Sequence, residues 1–176
     1  MAVLSAWGLR NARAGQALVE TAIVAPFLVL VLLGVSDMAQ LFYYSTAITN
    51  AAREGARHGA YYDPNTGTNL YDSQSGVFAA VQNEANFVTF NLLSAPNTAC
   101  PSGPPYSSSY PSTPNTANVI VCFNGQWSTA AAGPGQYIKV IILYNYQPIT
   151  PLLASFIGSS TIHMEATAVV ACQGLS

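Results

Sequence analysis

Gly15-Gln16-Ala17-Leu18-Val19-Glu20-Thr21-Ala22-Ile23-Val24-Ala25-Pro26-Phe27-Leu28-Val29-Leu30-Val31-Leu32-Leu33-Gly34-Val35-Ser36-Asp37 decides the fold. No charge lies between Glu20 and Asp37, and Ile23, Val24, Phe27 to Leu33 and Val35 supply an uninterrupted apolar surface. Ten such side chains contribute about −3 to −6 kcal/mol toward insertion into a bilayer. One acid near the edge costs at most ~3 kcal/mol, so the apolar contribution wins and the segment spans or anchors. Arg10 and Arg13 precede it and the next cation is Arg53. The positive-inside rule then puts the N-terminus in the cytoplasm and the chain beyond Asp37 outside.

The helical pattern runs past the apolar stretch. Leu41, Tyr44, Ile48, Ala51, Gly55 and Gly59 recur at three- and four-residue spacing, one stripe on a helix of 3.6-residue period. The stripe shrinks toward Ala51, Gly55 and Gly59, which lets a neighbouring backbone come close. Arg53 and Arg57 fall on the other side, in a cluster Arg53-Glu54-Gly55-Ala56-Arg57-His58. A packing or interface role for Arg53, Gly55, Ala56 and Arg57 is expected there, against a solvated face supported by the Glu54–His58 spacing. Asp63-Pro64 and the Asn-Thr-Gly after it end the helix. A helix over residues 16–60 is ~68 Å long, against a bilayer core of ~30 Å.

The rest of the chain reads as an extracytoplasmic α+β head, residues 61–176. Val77 to Val88 has the spacing of a second helix, with Val77, Ala80, Val81, Glu84, Phe87 and Val88 on one side. Residues 94–118 hold six prolines and six serines and read as a long loop. Asn118–Phe123, Tyr137–Tyr146 and Thr161–Ala171 are rich in β-branched and aromatic residues and read as three antiparallel strands. In the middle strand Tyr137, Lys139, Ile141, Leu143 and Asn145 share one face. Ile138, Val140, Ile142, Tyr144 and Tyr146 share the other.

Composition narrows the function. Of 176 residues 51% are hydrophobic and only 7% charged, with net charge −2. No cationic cluster exists to replace counterions along phosphates, so nucleic acid is not expected as a partner. So little charge also leaves weak repulsion against association. Three cysteines lie beyond the apolar run, where disulfides persist. Three pairings exist; Cys100–Cys122, tying the Pro/Ser loop to the first strand, is preferred over Cys122–Cys172. Asp63 to Asp72 places oxygens at alternate positions but lacks the glycine and terminal glutamate of a calcium loop. His58 and His163 have no ligand spacing. Neither nucleophile elbow nor phosphate loop appears, so no enzyme activity, metal or cofactor is expected.

Gly15-Gln16-Ala17-Leu18-Val19-Glu20 ahead of an apolar run resembles the processing site of type IV pilin-like precursors. Extended through Pro26, then Gly34 to Asp37, then Asn50-Ala51-Ala52-Arg53-Glu54-Gly55-Ala56-Arg57, the pattern is similar to the TadE family of tight-adherence (Flp-type) pilus systems. Tyr144-Asn145-Tyr146-Gln147-Pro148-Ile149-Thr150-Pro151 is weakly similar to that family's C-terminal strand and turn. The resemblance implies a leader over residues 1–15, cut after Gly15 by a prepilin peptidase to expose Gln16. Glu20 then becomes the fifth residue of the mature chain and sets subunit register by pairing with a neighbouring α-amino group. Pro26 frees the carbonyl of Ala22 and invites a kink. A minor pilin, or pseudopilin, in adhesion and biofilm formation is thereby implied, with other pilin subunits and the inner membrane as its partners. Two alternatives stay open: an unprocessed membrane-anchored scaffold of the secretion machine, and a surface adhesin using the Pro/Ser/Tyr loop. A cleaved secretory signal fits less well, because Pro26 interrupts the apolar run and no small-x-small site follows.

Overall fold

The computed structural model describes residues 5–63, 65, 68–69, 74–93, 98–101, 103–104, 106, 109–123, 126–127 and 135–172. Elements follow in the order α1 (Ser5–Ala60), β1 (Tyr62–Asp63), β2 (Thr68–Asn69), α2 (Gln74–Glu84), β3 (Thr89–Leu92), β4 (Thr98–Ala99), β5 (Thr116–Phe123), β6 (Gln126–Trp127), β7 (Tyr137–Tyr146), α3 (Pro151–Ile157) and β8 (Ile162–Ala171). The chain divides into two compact units, Met1–Ala39 and Gln40–Ser176.

In the first unit the described residues belong to α1, which begins at Ser5 and so takes in part of the expected leader. The helix is unbroken through Pro26. From Leu18 to Val35 its large apolar side chains are exposed, as a face meeting lipid requires. Thr21 and Ser36 donate their hydroxyls back to the carbonyls of Ala17 and Leu32, at 2.9 Å each. Asp37 is buried.

The second unit is α+β. Its sheet runs β4-β6-β5-β7-β8, with β3 beside β5. β5, β7 and β8 are the expected antiparallel strands, in register Val121↔Val140↔Ala168. Two features correct the three-strand expectation. β3 is parallel to the first half of β5, Thr89↔Thr116 through Leu92↔Val119, and β4 and β6 extend the sheet past Phe123. The segment read as the end of the second helix is instead a turn: α2 stops at Glu84, and Val88 N–H donates to Ala85 at 3.0 Å. Phe87, in that turn, is exposed, and so is Glu84 at the end of α2.

Period-two alternation gives the sheet two apolar faces. The inner face, Val119, Val121, Phe123, Ile138, Val140, Ile142, Tyr144, Met164, Ala166 and Ala168, forms one core with Ile48, Ala51, Ala52 and Ala56 of α1 and Val77 and Val81 of α2. The outer face gathers Ile120, Cys122, Ile141 and Leu143 beneath Tyr106, with Cys100 and Tyr110 alongside. The described residues of the Pro/Ser-rich segment around Cys100, Tyr106 and Tyr110 therefore form a further layer over the outer face of the sheet. The stretch read as loop also contains strand β4 and, from Thr116, the start of β5, both of them members of the sheet itself. Each large aliphatic side chain the outer layer covers contributes about 1.5–3 kcal/mol relative to exposure.

Candidate processing and packing sites

Gly15 and Glu20 lie on one exposed helix. Gln16 Nε2 donates to Glu20 Oε1 at 3.1 Å, so the carboxylate is met by the side chain of the residue that a cut after Gly15 would leave at the terminus. Glu20, Thr21, Val24, Ala25 and Leu28 line an open recess of about 360 Å³ along this stretch. A Cβ built on Gly15 meets nothing within 4 Å, nor does one built on Gly34. Glycine in a helix interior costs roughly 0.5–1 kcal/mol relative to alanine. At Gly15 no packing among the described residues offsets that cost.

Gly55 is the opposite case. Its added Cβ would lie 2.5 Å from Cγ2 of Val81, and 3.5 Å from both Cγ1 and the carbonyl oxygen of Val77. The small-residue stripe thus admits α2 of the same chain. It is broader than the sequence spacing implies, since Ala52 and Ala56 are buried along with Ile48 and Ala51. Arg53 and Arg57 are exposed on the far side. Arg57 Nε donates to Glu54 Oε2 at 2.8 Å. The Arg57 guanidinium holds the Glu54 carboxyl below the usual carboxylate range. Glu54, His58, Gly76, Ala79, Ala80, Asn83 and Glu84 line a cleft of about 410 Å³ between α1 and α2. Among the described residues no group of three His, Cys, Asp or Glu side chains is placed to hold a metal ion. Of the calcium-like stretch, residues 64, 66–67 and 70–72 lie outside the described residues.

Cys100 and Cys122 form a disulfide, with Cα atoms 5.9 Å apart, and Cys172 is a buried free thiol. Burial pushes that thiol above its ordinary range. The disulfide is one of several ties that strap the outer layer to the sheet. Lys139 Nζ donates to Pro101 O at 2.9 Å, Asn118 Nδ2 to Ser109 O at 2.9 Å, and Asn145 Nδ2 to Pro111 O at 3.1 Å. Asn115 sits at φ 56°, a left-handed conformation asparagine tolerates. It is fixed by its N–H donating to Asn145 O at 2.6 Å and its side-chain oxygen accepting from Gln147 N–H at 3.0 Å. Tyr110 stacks on His163 with centroids 4.1 Å apart. Burial, with Glu165 nearby, raises the Tyr106 and Tyr110 hydroxyls above the usual tyrosine range.

Sequence reasoning did not single out Asn118, Asn145 and Lys139 as strap residues. One signal was available: polar side chains at outer-face positions of strands that are otherwise apolar on both faces, which implies a covering layer with acceptors.

Of all described helices, one is long and apolar enough to cross a membrane, within Gly15–Ala60, with a mean hydropathy of 2.5 in its most apolar window. Residues 15–57 match a family model described as TadE-like protein. No curated protein and no solved structure matches the chain.

Proposed function

We propose, from the premise that this chain carries a TadE-like segment over residues 15–57, that it is a membrane-anchored minor pilin of a tight-adherence pilus. A prepilin peptidase cuts after Gly15 on the cytoplasmic side, Gln16 becomes the terminus, and the head stays outside. The observation that carries this reading is Gly15 itself. It is the first residue of the family match, and a glycine where an added Cβ would meet nothing within 4 Å among the described residues. A protease that closes around the backbone needs such a position. Cleavage would part Gln16 from the helix before it and give Glu20 an α-amino group as a stronger partner than the present amide. A carboxylate at membrane depth requires such a partner, from its own chain or from a neighbouring subunit.

The function is packing, with no catalytic step. The head's stripe is covered from within the chain, by α2 at Gly55 and by the sheet at Tyr44, which leaves the span and its Glu20 recess as the surface for subunit contacts. The strapped outer layer speaks against a freely reaching adhesive loop, since its described backbone is held at Pro101, Ser109 and Pro111. Gly15→Val, expressed beside the peptidase, tests the reading on a gel. It is expected to abolish the shortened form and leave the full-length chain in the membrane. Unchanged processing, or no processing of the native chain, contradicts it.

A further inference from the structure

The charges of the second unit are unevenly placed. No Lys, Arg, Asp or Glu occurs over residues 38–52, 85–138 or 140–162. Register and ring contacts bring parts of these stretches to one end of the unit. Tyr44 of α1 stacks on Tyr144 at 5.2 Å and meets Tyr146 at 5.7 Å. Phe87 lies 5.0 Å from Tyr43 and 5.9 Å from Tyr44. Asn145 pairs with Thr116, Thr116 with Thr89, and Tyr146 with Ile162. The turn at 85–88, the turn before Thr116 and the whole β7–β8 connection therefore leave the sheet beside the point where the chain enters from the apolar run. Lys139 belongs to the opposite end, opposite Cys122 and Val169.

That end exposes large apolar side chains: Phe42 68%, Tyr43 58%, Phe87 46%, Ile149 65% and Ile157 49%. The β7–β8 connection is also shaped. Thr150 is extended, Pro151 opens α3, and Gly158 at φ 73° closes it with its N–H on Ala154 O at 3.0 Å. Two exposed isoleucines bracket this uncharged turn of helix. Glu84 and His163 border these stretches. Aromatic rings with aliphatic side chains, and such polar groups only at their edge, suit the boundary between headgroups and acyl chains, where apolar area is buried and charges stay at headgroup level.

We propose that this end of the head rests on the lipid bilayer, with Ile149, Ile157, Phe87 and Tyr43 at the headgroup–acyl boundary, a second and monotopic contact beside the span. The inference rests on α1 being a membrane span. The lipid surface suits this end because the chain enters it only a few residues after that span, so the bilayer is already within reach.

The test uses the full chain at high dilution in phosphatidylethanolamine/phosphatidylglycerol vesicles, with a nitroxide near the headgroup end of the acyl chain. A bimane is placed in turn at Ile149→Cys, Ile157→Cys, Val169→Cys at the far end, and Leu32→Cys in the span; the parent chain corrects for label at Cys172. All four positions are exposed or outward-facing in the native chain, so folding is not at stake. Quenching at Ile149 and Ile157 is expected to exceed that at Val169 by roughly twofold or more, with Leu32 also quenched. If Leu32 is quenched while Ile149 and Ile157 match Val169, the bilayer contact is refuted and the span stands. If Leu32 is unquenched, the span itself is refuted and the contact with it. Shielding of Ile157 that appears only at high protein density means a second copy covers this end, which also overturns the proposal.

Discussion

Gly55→Ala is the substitution whose outcome depends most sharply on the packing described. In an exposed helix interior it would stabilise by about 1 kcal/mol, because alanine is the better helix former. Here the new methyl would fall 2.5 Å from Val81 Cγ2. Val81 is fully buried and β-branched, so in a helix it has essentially one rotamer and cannot swing aside. Overpacking of this kind costs about 1–3 kcal/mol. Subtracting the propensity gain leaves a net destabilisation of about 0–2 kcal/mol, opposite in sign to the exposed case at most of that range. Because the net value is small, the decisive quantity is the coupling with Val81→Ala. That variant alone removes two buried carbons, worth about 0.8 kcal/mol each plus a cavity cost. With Ala at 55 the added methyl occupies part of the cavity, so the double variant should be more stable than the sum of the singles by about 1–2 kcal/mol. The cycle is read from denaturant unfolding of the full chain in detergent micelles, followed by near-ultraviolet circular dichroism of the head tyrosines. A Gly55→Ala chain stabilised by a full kcal/mol, with no coupling to Val81, would refute the close approach of α2 to α1.

Four further outcomes follow from the strap and the buried hydroxyls. Unfolded without reductant, the chain should titrate one thiol, Cys172. Replacing Cys100 and Cys122 together by alanine should cost the head about 3 kcal/mol, the value for a loop closed over 22 residues. Asn118→Ala and Asn145→Ala each remove a donor to the outer layer, and each should cost about 1–3 kcal/mol and quicken proteolysis between residues 101 and 115. At alkaline pH the sign is set by Tyr106, Tyr110 and Tyr144, whose hydroxyls burial raises above the ordinary value of 10. The fold favours their neutral form, so this stability is complete below the unfolded tyrosine range and is lost as pH rises through the raised values. Tyr106→Phe with Tyr144→Phe should flatten the alkaline limb of a stability–pH profile.

Sequence was most informative where a periodic signal persisted. The apolar run and the 41–59 stripe made the long helix readable, and alternation in Tyr137–Tyr146 placed Lys139, Ile141 and Leu143 opposite Val140 and Ile142 as observed. Short elements were not readable. β3 is Thr-Phe-Asn-Leu, with one buried side chain in four residues, and its parallel partner lies more than twenty residues on. Helix α3 has both its signals, Pro151 at the start and Gly158 at the end, but is too short for a period to show. The outer layer escaped for a different reason. Proline and serine mark residues 94–118 as irregular, yet where an irregular segment lies is set by partners farther along the chain, here Cys122, Lys139 and Asn145. At the candidate processing site, the sequence suggests that Gly15 matters. Among the described residues nothing crowds Gly15, as nothing crowds Gly34, whereas Gly55 is a glycine kept for packing.

Cleavage after Gly15 is read most directly from the intact mass of the native chain taken from its own membrane. A mass equal to residues 16–176, less two hydrogens for the disulfide, with Gln16 recovered as the N-terminal residue, is the result the account predicts. A mass that retains residues 1–15 would contradict it.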